Sequence, residues 1–214
     1  TNKFGDITMD NWTGKLKANI EHGDLWINDS ITNANIDMKF GKLRSKSISY
    51  GTISLKNGDI DIKTSKDLLL NTSGSTIDLE HATDVEITSS KDNINIQSIK
   101  SIKGELKYSN MKIETLESFI NLNMRVAELR VSHISKSDPE VTINQESSDV
   151  YIGISNLSFN FDALLEQIEN QLTADGWTNY EAGLELADSW FTSMSSDSAS
   201  NECFVIVLEL SLKN

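Results

Sequence analysis

The chain has 214 residues, of which 38% are hydrophobic, and a formal net charge of −13. Binding to nucleic acid or to anionic lipid depends on a basic surface, so this charge argues against both as partners. No run approaches the roughly 20 apolar residues that a helix needs to cross a bilayer. Cys203 is the only cysteine, which excludes an intramolecular disulfide and a thiolate metal cluster.

Short units of a glycine, a polar residue and alternating apolar residues recur from the start of the chain. The first are Gly5-Asp-Ile-Thr-Met9, Gly14-Lys-Leu-Lys-Ala18 and Gly23-Asp-Leu-Trp-Ile27, with glycines nine residues apart. Two adjacent copies form the clearest stretch, which runs from Tyr50 to Lys63. Strict alternation predicts half-buried strands. The glycines that open the two copies, Gly51 and Gly58, predict turns with backbone angles that other residues avoid.

Beyond residue 67 glycine becomes rare, but apolar pairs continue at a spacing of eight or nine residues. They are Leu68/Leu70, Ile77/Leu79, Val85/Ile87 and Ile94/Ile96, followed by a looser series to Ile152/Ile154. A compact sandwich also places strands every 8–12 residues, so the spacing alone does not decide. Near-identical neighbouring units, joined by a hairpin dipeptide only at Asn57-Gly58, favour a solenoid in which stacked coils share a core.

The predicted fold is all-β, a single-chain β-solenoid or β-helix over residues 1–160, right-handed or similar, built of short repeated strands. Two or three units per coil predict coils of roughly 18–27 residues. The inward positions form one set: Ile7, Leu16, Leu25, Ile53, Leu55, Ile60, Ile62, Ile77, Leu79, Ile94 and Ile96. We expect residues 161–214 to form a C-terminal cap and closing strand of the same unit. Residues 161–173 have helical spacing of apolar residues, with a strand as the alternative.

The chain contains no motif that specifies a catalytic or metal site. His22, His81 and His133 lie far apart without a paired-histidine motif. Asp59-Ile-Asp61 resembles the start of a calcium loop but lacks the third acid, the central glycine and the closing glutamate. We therefore predict no catalytic residue, no cofactor and no metal. Carboxylates brought together across coils would be a route to glycoside chemistry, and the sequence does not show such a pair.

Trp26 is the one candidate ligand-binding residue. It lies between Leu25 and Ile27, so it points outward if those two point inward. An exposed tryptophan can stack on a sugar or on a partner protein. The alternative is that its ring covers a corner of a coil or the N-terminal edge of the solenoid.

Several units resemble the aromatic–glycine–polar–apolar repeats of a family of bacterial adhesins. They are Phe4-Gly-Asp-Ile-Thr-Met9, Gly14-Lys-Leu-Lys-Ala18, Glu21-His-Gly-Asp-Leu25, Phe40-Gly-Lys-Leu43 and Ser49-Tyr-Gly-Thr-Ile53. These adhesins are secreted or envelope β-solenoid proteins, common in Bacteroidetes and related to the adhesin-head GIN domains. The resemblance spans about residues 4–160 and implies a mostly parallel coiled fold and an envelope location. It transfers no catalytic or binding residue.

Three functions follow as hypotheses. The first is a non-enzymatic, adhesin-like envelope or secreted protein whose solenoid surface binds a surface glycan or an envelope protein. The second is a polymerising scaffold of the bactofilin type, in which coils stack end to end. The third is a carbohydrate-active solenoid enzyme. The chain starts at Thr1 without methionine or signal segment, so we expect a trimmed or mature fragment of a secreted, periplasmic or outer-membrane-associated protein.

Overall fold

The computed structural model describes residues 1–10, 12–136 and 139–153. Within these residues the chain forms eleven strands, all paired in parallel, and no helix. The strands are β1 Ile7–Met9, β2 Lys15–Glu21, β3 Leu25–Lys39, β4 Lys42–Lys56, β5 Asp59–Ser73, β6 Thr76–Ser90, β7 Asn93–Lys107, β8 Asn110–Arg125, β9 Glu128–Ile134, β10 Glu140–Glu146 and β11 Asp149–Ile152. The predicted all-β solenoid is confirmed. The cap and closing strand predicted over 161–214 lie outside the described residues.

The strands stack as successive coils of one solenoid. Their order is β1-β3-β4-β5-β6-β7-β8-β9-β11, while β2 pairs with β3 and β10 with β8. Each of β3 to β8 is therefore a whole coil, and β1 with β2 and β9 with β10 make one coil each, about eight coils in all. Neighbouring coils are offset by 17 or 18 residues and by 21 where β10 meets β8. The commonest coil is thus slightly shorter than predicted and holds two repeating units.

Strand β5 shows how one strand makes a whole coil. Ile60 and Ile62 point inward, and so do Leu68 and Leu70. Between these pairs the alternation breaks twice, at residues 63–64 and 66–67, where two successive side chains are exposed. The strand bends at each break and keeps its register with β4 and β6 on both sides. The prediction of very short strands is wrong here, because each pair of predicted strands is two arms of one bent strand.

The core is a set of aliphatic columns that run along the stack. Ten of the eleven residues predicted to point inward are buried, and Ile7 in the edge strand β1 is half-buried against the same core. Residues of equal phase lie directly above one another on successive strands. One such column contains Leu25, Leu43, Ile60, Ile77, Ile94, Met111 and Leu129. Because strands stack about 4.8 Å apart, each side chain packs on its equivalents above and below.

A column of left-handed residues closes the coils. Positive φ angles fall at equivalent positions of successive coils, on His22, Phe40, Asn57, Gly74, Lys91, Tyr108, Val126 and Ser147. The amides of the first seven donate to the carbonyl at the end of the next coil, as Asn57 N does to Ser73 O at 2.9 Å. Hydrogen bonds between coils therefore hold the backbone of residues such as Val126 in the left-handed conformation, which β-branched residues avoid.

Gly51 and Gly58 have a different role from the one predicted. Gly58 does follow a corner, but the left-handed angle belongs to Asn57 before it. A Cβ on Gly58 would collide with the carbonyl oxygen of Gly41 in the preceding coil, so close contact between backbones requires glycine there. Gly51 lies inside β4, where a Cβ would come 2.8 Å from Leu68 Cδ2. The predicted turn at Gly51 is wrong.

In later coils a buried polar network occupies the corner next to the left-handed residues. Asp92, which is 2% exposed, stands where an earlier coil has Gly58. Its Oδ2 accepts from Thr72 Oγ1 and Ser89 Oγ, each at 2.7 Å, and from the amide of Ser90 at 3.1 Å. Its Oδ1 accepts from the amide of Ser75 at 2.7 Å. One carboxylate thus ties three consecutive coils together, and its four donors compensate its removal from water.

Candidate functional site

The outward side chains form two broad faces. We define the first face by the columns that pass through Asp59, Asp61 and Lys63, and the second face by the columns that pass through Asp67, Leu69 and Asn71. Both faces are polar, as predicted from the alternation, but they differ in how their side chains are used. That difference locates the candidate site.

On the first face, polar side chains pair along the stack. Arg44 Nε donates to Asp61 Oδ2 at 3.0 Å, and Asn95 Nδ2 donates to Asp78 Oδ1 at 2.9 Å. Lys63 lies 3.9 Å from Glu80 in the following coil. These pairs are exposed, so each contributes at most about 1 kcal/mol to stability. They nevertheless leave this face with few polar groups free to bind a ligand.

Trp26 lies on the first face and points outward between the buried Leu25 and Ile27, as predicted. The Arg44 guanidinium carbon lies 5.0 Å from the centroid of its ring, and Thr8 is its neighbour on the other side. Because Arg44 covers one side of the half-buried ring, a stacking ligand must use the Thr8 side or displace Arg44. The ligand-binding role of Trp26 stays a prediction.

The fold brings carboxylates together across coils. Asp61 and Asp78 are register partners on the first face, and Asp67 and Asp84 are register partners on the second. In the first pair, Arg44 already engages Asp61, and Asn95 engages Asp78. A glycosidase needs one carboxyl group as acid and another as base or nucleophile on opposite sides of a bound sugar. In the first pair, Arg44 and Asn95 therefore occupy carboxylate oxygens that this chemistry would need.

A groove of about 320 Å³ opens on the second face and crosses four successive strands, β2 to β5. The floor of the groove is the outer side of the backbone at three inward-facing positions, Leu16, Ala34 and Gly51. Its walls are outward side chains. They are Lys15, Asn33, Asn35, Tyr50, Thr52, Asp67 and Leu69.

The polar walls of this groove are unpaired. Within the described part of the chain, the side chains of Lys15, Asn33, Asn35, Thr52 and Asp67 make no hydrogen bond or ion pair, and the Tyr50 hydroxyl makes none either. The comparable groove on the first face, about 500 Å³, is lined by paired groups such as Asp61, Asp78 and Glu80. The Tyr50 groove therefore offers hydrogen-bonding groups that the protein does not use itself.

Two exposed apolar side chains border the Tyr50 groove. Tyr50 is 49% exposed and Leu69 is 43% exposed. Thr52 pairs in register with Leu69, and Tyr50 pairs with Asp67, so the two apolar side chains lie diagonally on adjacent strands. Sequence reasoning did not identify this groove. Tyr50, which precedes Gly51, can be noticed in the sequence, but the other residues of the groove come from three other coils, and the sequence does not show that they are its neighbours.

The histidines do not form a site. His22 is exposed at the left-handed corner, where its ring is stacked between Phe4 and Phe40 at centroid distances of 5.5 and 4.8 Å. His81 and His133 are exposed elsewhere on the solenoid. Among the described residues, no three histidine, cysteine, aspartate or glutamate side chains are placed to hold a metal ion. The same residues contain no helix long and apolar enough to span a membrane.

Comparison of the chain with protein-family models, with curated proteins and with solved structures finds no match in any of the three.

Proposed function

We propose that this chain is a non-enzymatic, adhesin-like protein, secreted or located in the cell envelope, that presents its solenoid surface for binding. The observation that supports the proposal is the Tyr50 groove, with its unpaired polar walls and two exposed apolar side chains. Register-locked strands hold these groups in place, so binding has little backbone freedom to remove. The partner classes are a surface glycan or an envelope protein. Nucleic acid is disfavoured, since 32 acidic residues outnumber 19 basic ones.

Binding of the labelled 214-residue chain to bacterial and host cells and to an array of surface glycans tests this proposal. We expect saturable binding and no release of reducing ends from the bound polysaccharide. Loss of binding in Trp26→Ala alone would place the contact on the first face. Turnover of polysaccharide above the rate of the heat-denatured protein would support the enzyme alternative instead. The absence of saturable binding to cells and to glycans would refute the proposal.

One edge of the solenoid favours a polymerising, bactofilin-like scaffold as a second candidate. Strand β2 pairs with β3 along one edge. Within the described residues, only Asn2 bonds to its other edge: Asn2 N donates to Asn19 O at 2.8 Å, and Glu21 N donates to Asn2 O at 2.9 Å. A strand with free backbone groups can accept a strand from a second copy. Filaments in electron micrographs, or a mass by light scattering that rises with concentration, would support this homo-oligomeric function.

A further inference from the structure

We propose that the Tyr50 groove binds an uncharged glycan chain that lies along the solenoid axis. This inference rests on the proposed binding function, and it names the site and the chemical class of the ligand.

The apolar component of the groove suits the ring of a sugar. A pyranose has carbon-bound hydrogens on its faces and hydroxyls around its rim, so it packs best on a flat apolar surface bordered by polar groups. Tyr50 supplies an exposed aromatic ring, and Leu69 supplies a second apolar surface on the adjacent strand. Two exposed apolar side chains are too few to anchor a protein partner, whose contact needs a larger central cluster.

The polar component suits hydroxyl groups. Each sugar hydroxyl both donates and accepts a hydrogen bond, and so do the amides of Asn33 and Asn35 and the hydroxyl of Thr52. Because these side chains make no internal hydrogen bonds within the described residues, a ligand can bond to them without breaking a bond inside the protein. Their partners before binding are water molecules, which a ligand of matching polarity can replace.

Charge favours a neutral ligand. Among the described residues that line the groove, Lys15 is basic and Asp67 is acidic, so their formal charges cancel. The whole chain carries a net charge of −13, so an anionic polysaccharide would approach against a repulsive field. An uncharged glycan meets no such barrier, and its hydroxyls can contact both ionised groups.

The direction of the groove gives the direction of the ligand. The groove crosses four stacked strands, which span three inter-strand spacings or about 14 Å along the axis. Outward groups recur at each strand spacing along this line, since Asn33, Tyr50 and Asp67 are register partners in one column. A linear oligosaccharide parallel to the axis therefore meets a polar or aromatic group at each step.

Titration of the 214-residue chain with neutral oligosaccharides tests the site, with manno-, malto-, cello- and xylo-oligosaccharides as probes and oligogalacturonate as the anionic comparison. We expect at least one neutral series to bind. Tyr50→Ala should weaken that binding by at least about tenfold, as loss of a central aromatic contact does. Tyr50→Phe should retain most of it. Tyr108→Ala is the matched control, because Tyr108 is 55% exposed but lies at the left-handed corner.

The outcomes separate this inference from the proposed function. Neutral-glycan binding that Tyr50→Ala and Asn35→Ala leave unchanged, in variants that melt like the wild type, would refute the groove and leave the binding function standing. Preference for oligogalacturonate would refute the neutral ligand. Saturable binding to cells that no glycan competes away would also refute the inference alone. Absence of binding to cells and to every glycan would refute both.

Discussion

Asp92→Ala should be among the most destabilising single substitutions in the described solenoid. The carboxylate accepts four hydrogen bonds, and in its absence the hydroxyls of Thr72 and Ser89 can rotate to other acceptors. The buried backbone amide of Ser75 cannot rotate and loses its acceptor, whereas the part-buried amide of Ser90 stays paired in the ladder between β5 and β6. One buried donor left without a partner costs about 1–3 kcal/mol, so together with the lost hydroxyl bonds it predicts a loss of about 3 kcal/mol in the free energy of unfolding.

Asp92→Asn should give an intermediate loss of about 2 kcal/mol. The amide oxygen can still accept from Ser75 N, but the amino group then opposes the N–H of Ser90, and the remaining hydrogen bonds lose their ionised acceptor. Asp84→Ala is the matched control. Asp84 is an exposed aspartate of the adjacent strand β6, and its loss should cost less than about 1 kcal/mol.

Urea titration followed by circular dichroism measures these differences. The expected order of stability is wild type and Asp84→Ala together, then Asp92→Asn, then Asp92→Ala. If Asp92→Ala is as stable as Asp84→Ala, the corner relaxes or admits water, and the carboxylate does not tie the coils together.

Three further predictions concern the core phase, the corner and metal dependence. Ile60→Asp places an unpaired charge at a fully buried position and should lower the free energy of unfolding by several kcal/mol. Asp61→Ala beside it should lower it by less than about 1 kcal/mol. Equal losses in a denaturant titration would mean that the assignment of inward and outward positions is wrong. Val126→Asn should raise stability by about 1 kcal/mol, because Val126 is 46% exposed at φ 50° and asparagine tolerates that angle; a lower melting temperature would contradict this. Chelator treatment should leave the melting temperature unchanged, since no calcium or zinc ligand spacing occurs in the sequence; a fall of more than a few degrees would point first to Asp59 and Asp61.

The sequence was sufficient to predict the solenoid and the direction of most side chains. Alternation of apolar and polar residues holds within each arm of a coil because inward side chains pack on equivalent side chains above and below, as Ile60 does between Leu43 and Ile77. The bends were not predictable in the same way. Two successive polar residues, such as Lys63 and Thr64, are equally compatible with a loop, and only the ladder pairing on both sides shows one continuous strand.

Predicting the candidate site and the buried network from the sequence would have required the exact number of residues in each coil. Four side chains of the groove are neighbours only because residues 17 or 18 apart lie side by side; they are Lys15, Asn33, Tyr50 and Asp67. The predicted range of 18–27 residues per coil was too wide to identify these neighbours. Asp92 looks like an ordinary turn residue in Ser-Lys-Asp-Asn, and its burial follows from its position inside the corner column.

The bonding between coils sets how the solenoid responds to force. Among the described residues, each whole-coil strand contacts only the coils before and after it, and the hydrogen bonds between coils run along the stacking direction. A force applied along that direction therefore acts on the hydrogen bonds of one end coil at a time. The coils separate one after another and are not all sheared together. Each released coil of 17 residues frees up to about 60 Å of chain. A protein tethered at one end and attached to a ligand at the other would lengthen in steps before its attachment gave way.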